Sequence, residues 1–129
     1  MMELSIDFKR FMSETVYDYA TEAGTALAKG GVDKTTVSNL LEVFQSESDA
    51  LDATSLLLIH IMRQMGRGEI LRDVGNTLLR HLSEILNSFK GEELRSAVFK
   101  YLTLSKWIFE ARPRVSATKF TDFIRGQIR

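Results

Sequence analysis

The chain has 129 residues, 44% apolar and 26% charged, which fits one folded domain and excludes a disordered chain. It contains no cysteine, which removes disulfide frameworks, thiolate metal sites and thiol nucleophiles. Formal charge is zero, but residues 1–59 carry 4 basic against 10 acidic side chains and residues 60–129 carry 13 against 7.

In chain order, the first helix is expected from Leu4 to Lys29, with Phe8, Met12, Val16, Tyr19, Ala23 and Leu27 three or four apart as one buried stripe. Gly30-Gly31 stops it. Asp33 caps a second helix through Val37, Leu40, Leu41 and Phe44, and Ser46-Glu47-Ser48-Asp49 is a polar connector. The third helix carries Leu56-Leu57-Leu58-Ile59, Ile61, Met62 and Met65 and, being apolar on several sides, is expected to be the most buried. Gly66-Arg67-Gly68 interrupts it. A fourth helix runs from Ile70 through Leu71, Val74, Leu78, Leu82 and Ile85 to Phe89, with Lys90-Gly91 ending it. The fifth covers roughly Glu92 to Ala111 and closes at Pro113, the one proline. Ser116 is expected to cap a short sixth helix bearing Phe120, Phe123, Ile124 and Ile128.

The fold class read from this pattern is all-α, a compact bundle of five to six helices. Residues 1–129 form a single domain, with residues 113–129 a short C-terminal extension packed on it through Phe120, Phe123 and Ile124. No apolar run approaches the roughly 18 residues of a membrane span. MMELSIDFKR lacks the basic-then-apolar start of a secretory signal, so a cytoplasmic protein with no membrane partner is expected.

Enzyme signatures are missing. His60 and His81 sit in no HExxH, HxH or carboxylate spacing that makes a metal site, so no metal and no cofactor are expected. His60, inside the apolar third helix, reads as a satisfied core histidine. Ser55 and Ser105 have no partnered base in any recognised motif, and neither glycine pair follows a strand as a phosphate-cradling loop does. The expectation is a protein that is not an enzyme.

The charge asymmetry points instead to a polyanion or a complementary partner, unless folding interleaves the two halves and cancels the field. At 100° per residue, Leu94, Val98, Tyr101, Ser105, Ile108 and Phe109 form the inward stripe of the fifth helix. Phe99, Lys100, Thr103, Lys106 and Trp107 lie on the opposite arc. Lysines and flat rings on one face suit single-stranded nucleic acid; a sixth helix or neighbouring subunit covering Phe99 and Trp107 is the alternative. Arg63 and Arg67 share a face at the end of the third helix, where the helix dipole favours cations and paired guanidiniums can grip a phosphate. Arg72 and Arg80 on the fourth helix, and Arg112 and Arg114 around Pro113, extend the strip. Lys119, Arg125 and Arg129 make the tail basic and amphipathic.

Three blocks resemble the small helical subunit of type III-A (Csm-type) CRISPR effector complexes, or the equivalent small subunit of another type III branch. Asp33-Lys34-Thr35-Thr36-Val37-Ser38-Asn39-Leu40-Leu41 is similar to that family's TTSxLRxLL helix. Leu57 through Arg67 is similar to its apolar helix ending in YQAGR, with Gly66-Arg67 the most specific pair. Glu93-Leu94-Arg95 through Phe109 is similar to its RFxxYxEALVAY helix. Ser38 stands where the family often has a basic residue, Arg63 replaces an aromatic, Thr103 replaces a glutamate, and about seventeen residues follow Arg112.

The resemblance implies a non-catalytic, multicopy subunit that stacks along an RNA-guided complex. Its partners would be guide and target RNA, the other type III CRISPR complex subunits and further copies of itself. Arg63, Arg67, Arg72, Arg80, Lys100, Lys106 and Arg112 are the expected RNA-binding residues, gathered by folding into a basic track. A helical protein–protein adaptor or regulator with no nucleic-acid role, docking a partner on the Phe99/Trp107 face, is the other reading of the same surface.

Overall fold

A computed structural model describes residues 7–128, all of whose regular structure is helical. Leu4, the expected start of the first helix, and Arg129 lie outside the described residues. Helix α1 comprises Phe8–Arg10, a π-helical turn Phe11–Thr15 and Val16–Lys29. Asp7 caps it, accepting from the Arg10 amide at 3.1 Å. The π turn changes the expected stripe. Phe11 and Val16, five apart, are both fully buried, whereas Phe8 and Met12 are half-buried. A turn closed by an i→i+5 bond brings residues of that spacing onto one face, which α-helical periodicity does not.

Helix α2 spans Lys34–Gln45, capped by Asp33, which accepts from the Thr35 amide at 3.1 Å. Helix α3 spans Ala50–Gly66, and Asp49, the last residue of the polar connector, caps it by accepting from the Asp52 amide at 2.9 Å. Helices α4 (Arg72–Ser88), α5 (Gly91–Glu110) and α6 (Phe120–Gln127) complete the bundle. Gly31 (φ 68°) and Gly68 (φ 78°) take the left-handed conformation that ends α1 and α3. Each turn closes with a six-to-one amide bond, Val32 to the Leu27 carbonyl and Glu69 to the Gln64 carbonyl.

The most buried element is not α3. Helix α5 holds the centre against α1, and the two backbones come so close that a Cβ on Gly24 would lie 2.7 Å from Ile108 Cγ2. Helix α3 sits outside, turning Ala53, Leu57 and Ile61 inward while Leu51, Ile59 and Met62 stay 58%, 61% and 50% exposed. Apolar residues on several sides of a helix do not require its own chain to cover every side.

The stretch after α5 crosses back over α1. Ala117 and Thr25 bond to each other in both directions through backbone and hydroxyl. Ser116 does not cap α6. The first helical amide, Phe120, donates to the Asp18 carboxylate of α1 at 2.8 Å, so the cap comes from across the molecule. Phe123 is buried with Ala20 and Ile108, whereas Ile124 and Ile128 remain exposed. Among the described residues no helix is long and apolar enough to cross a membrane.

Candidate nucleic-acid interface

The up-and-down order of the helices fixes which turns share an end. A shallow pocket lined by Ala28, Gly31, Lys34, Phe109 and Arg112 joins the end of α1, the start of α2 and the end of α5. A Cβ on Gly30 would lie 2.8 Å from Val74, which brings the start of α4 to the same end. Gly75 of α4 lies against the Met65 side chain of α3. The α3–α4 turn, with Arg63, Arg67 and Arg72, therefore lies at the same end as Arg112.

All four of these arginines are exposed, and among the described residues none has a carboxylate within 4.0 Å. Arg67 is the C-cap of α3 and Arg63 lies in its last turn, where the dipole favours a cation. Arg72 opens α4, where the dipole opposes one, so helix electrostatics do not account for it. Arg112 has φ 56°, the single non-glycine residue with positive φ among the described residues. Lys106 is half-buried one turn before the end of α5. Its neighbour Trp107 is 60% exposed and Phe99 is 43% exposed, so α6 covers neither ring.

Two expected members stand apart. Lys100 is half-buried; its ammonium donates to the Met12 carbonyl inside the π turn at 2.7 Å and lies 4.8 Å from the centre of the Tyr17 ring. Arg80 lies two turns down α4 and binds the Glu22 carboxylate at 2.9 Å. The cations thus gather at one end of the bundle rather than in a strip along its side.

Arg80 belongs to a different arrangement, which sequence reasoning missed. His81 is 1% exposed, and it rather than half-buried His60 is the satisfied core histidine. Its Nδ1 accepts from the Tyr101 hydroxyl at 2.9 Å and its Nε2–H donates to Glu22 at 2.9 Å. Tyr19 stacks on the imidazole with centroids 4.3 Å apart and donates to Glu84. Burial holds the His81 pKa below its usual value, outweighing the bond and charge of Glu22 that favour protonation. Burial alone would raise the Glu22 carboxyl, but the bonds from His81 and Arg80 bring it below the ordinary range. Burial raises the Tyr101 hydroxyl well above its usual pKa. Tyr101 is fully buried, so this relay ends in the core.

The chain matches none of the family models, curated proteins or solved structures with which it was compared.

Proposed function

We propose that this chain is a non-catalytic RNA-binding subunit whose arginine-bearing end contacts the ribose-phosphate backbone. The resemblance noted in its sequence suggests a setting, the small subunit of a type III CRISPR complex stacked in several copies on guide and target RNA. One observation carries the RNA reading: Arg63, Arg67 and Arg72 flank one turn, and among the described residues none of them pairs with a carboxylate within 4.0 Å, although Glu69 and Asp73 are their sequence neighbours. Exposed guanidiniums pair with phosphate oxygens bidentately, and such backbone contacts carry no base specificity. Sequence would then be read by base pairing, as in other guided systems.

The test is fluorescence anisotropy with labelled single-stranded RNAs of unrelated sequence, titrated over a range of salt. Arg63→Ala with Arg67→Ala should weaken binding evenly across sequences. If each arginine neutralises one phosphate, the slope of log affinity against log salt flattens by about 1.4. A double variant that binds like the parent at low salt would remove these residues from the interface. The exposure of Phe99 and Trp107 favours the adaptor as a second reading; under it Trp107 emission responds to a protein partner and ignores RNA.

A further inference from the structure

The outer face of α3 is apolar and uncovered. Leu51, Ile59 and Met62 are at least half exposed, and at 100° per residue they share an arc of about 100° with Leu58, Ser55 and Gly66. Most of this arc points away from Ala53, Leu57 and Ile61, which face the core; Leu58, at its edge, is half-buried against that core. Gly66 is unexplained within the chain. The left-handed turn that ends α3 is made by Gly68, and a Cβ on Gly66 would find no atom within 4 Å. Gly66 is the last residue of α3, and the space beside it is open to a side chain from outside this chain.

The face is complementary to itself. Turning a second copy about a two-fold axis midway between Leu58 and Ile59 sets residues equally far from that midpoint opposite each other. Leu51 then lies on Gly66 of the second copy, Met62 on its Ser55, and Ile59 across its Leu58. Each large side chain at the periphery meets a small one, as interdigitating helices require. In such an antiparallel pair each flank meets the same flank of the other copy. That puts Asp52 beside Arg63 of the second copy. Among the described residues neither has an ion-pair partner within its own chain.

We propose that α3 is the interface of an antiparallel, two-fold homodimer, with Ile59 at its centre, the half-buried Leu58 at its inner edge and Asp52–Arg63 pairs at its rim. A second copy fits better than an unrelated helix because acidic start, apolar middle and basic end are matched by reversal of the same sequence, the condition for an isologous contact. The inference shares Arg63 with the RNA reading, since a guanidinium paired to Asp52 of a second copy is not free for phosphate, and it is therefore tested without nucleic acid and at Ile59 and Gly66, which the RNA reading does not use.

Sedimentation equilibrium of the full chain over a wide concentration range should show a reversible monomer–dimer equilibrium. Ile59→Glu should raise the dissociation constant by at least about tenfold, because it sets like charges together at the centre of the contact. Gly66→Leu should do the same while leaving the circular dichroism intact, since the site is open inside the chain. Asp52→Arg alone should weaken the dimer, and Asp52→Arg with Arg63→Asp should restore it. A chain that stays monomeric throughout overturns the proposal and leaves the face to a different protein. A dimer indifferent to Ile59→Glu and Gly66→Leu, or not restored by the charge exchange, overturns it equally.

Discussion

At the end of the bundle where α1 begins, the arginines are occupied by their own chain. Arg95 donates to the carbonyls of Glu47 and Ser48 at 2.7 and 2.6 Å and lies over the Phe44 ring, and Arg10 pairs with Glu14 at 3.4 Å. Around them stand Asp49, Asp52, Glu92 and Glu93, all exposed. At the end where α1 stops, Arg63, Arg67, Arg72 and Arg112 have no such partners, and Asp33, Glu69, Asp73 and Glu110 stand nearby in sequence without pairing to them. Neither end corresponds to one half of the chain: Lys29 and Lys34 join the arginine end, whereas Glu92 and Glu93 join the other. The polarity is set by alternate turns of an up-and-down bundle, so a net charge of zero coexists with a field directed along its axis.

That contrast depends on a rigid middle, and the sharpest way to break it is at the α1–α5 seam. Gly24→Val should lower stability by about 3 kcal/mol through overpacking against Ile108 and the Ser105 carbonyl, read as a fall in the urea midpoint. Both ends should loosen together. A smaller effect is expected at the relay between α1, α4 and α5: His81→Gln should cost about 2 kcal/mol at neutral pH by disrupting the bonds to Tyr101 and Glu22.

The same histidine gives the middle a pH dependence that the arginine end lacks. Native His81 is held below the ordinary imidazole value of 6.5, so below that pH the unfolded chain binds more protons and stability falls as the medium is acidified. The depressed Glu22 carboxyl adds to the loss as pH falls further through the carboxylate range. Denaturant titrations from pH 8 downward should show this decline beginning near 6.5, and His81→Gln should flatten its upper part. The smallest change sharpens the comparison from the arginine end itself. Arg112→Gly should raise stability by about 1 kcal/mol by relieving its positive φ, yet weaken RNA binding. A variant improved in both respects would detach Arg112 from the proposed interface.

Local chemistry was legible in the sequence. Gly31 and Gly68 ended helices where glycine should, Asp33 capped where a short acceptor should, and the inward stripe of α5 followed from periodicity. What was not legible depends on contacts between distant residues. The π turn hides because Phe8, Met12 and Val16 already satisfy helical spacing; only burial of Phe11 reveals it. Periodicity cannot tell a core-facing apolar residue from one left exposed, which is why α3 was misjudged. Lys100 was placed on the outer arc of α5 by angle alone, and its bond to Met12 requires knowing where α1 lies. Gly24 and His81 take their meaning from α5 and α1, at separations no local motif spans.

Helix α6 bears on the order of assembly. Eight residues are too few to hold a helix in water unaided, and its cap is a carboxylate 102 positions upstream. Its apolar anchor, Phe123, has a place to dock only once Ala20 and Ile108 are side by side. Closing so long a loop yields nothing until α1 and α5 are joined, which makes this segment the last to form and the first to open.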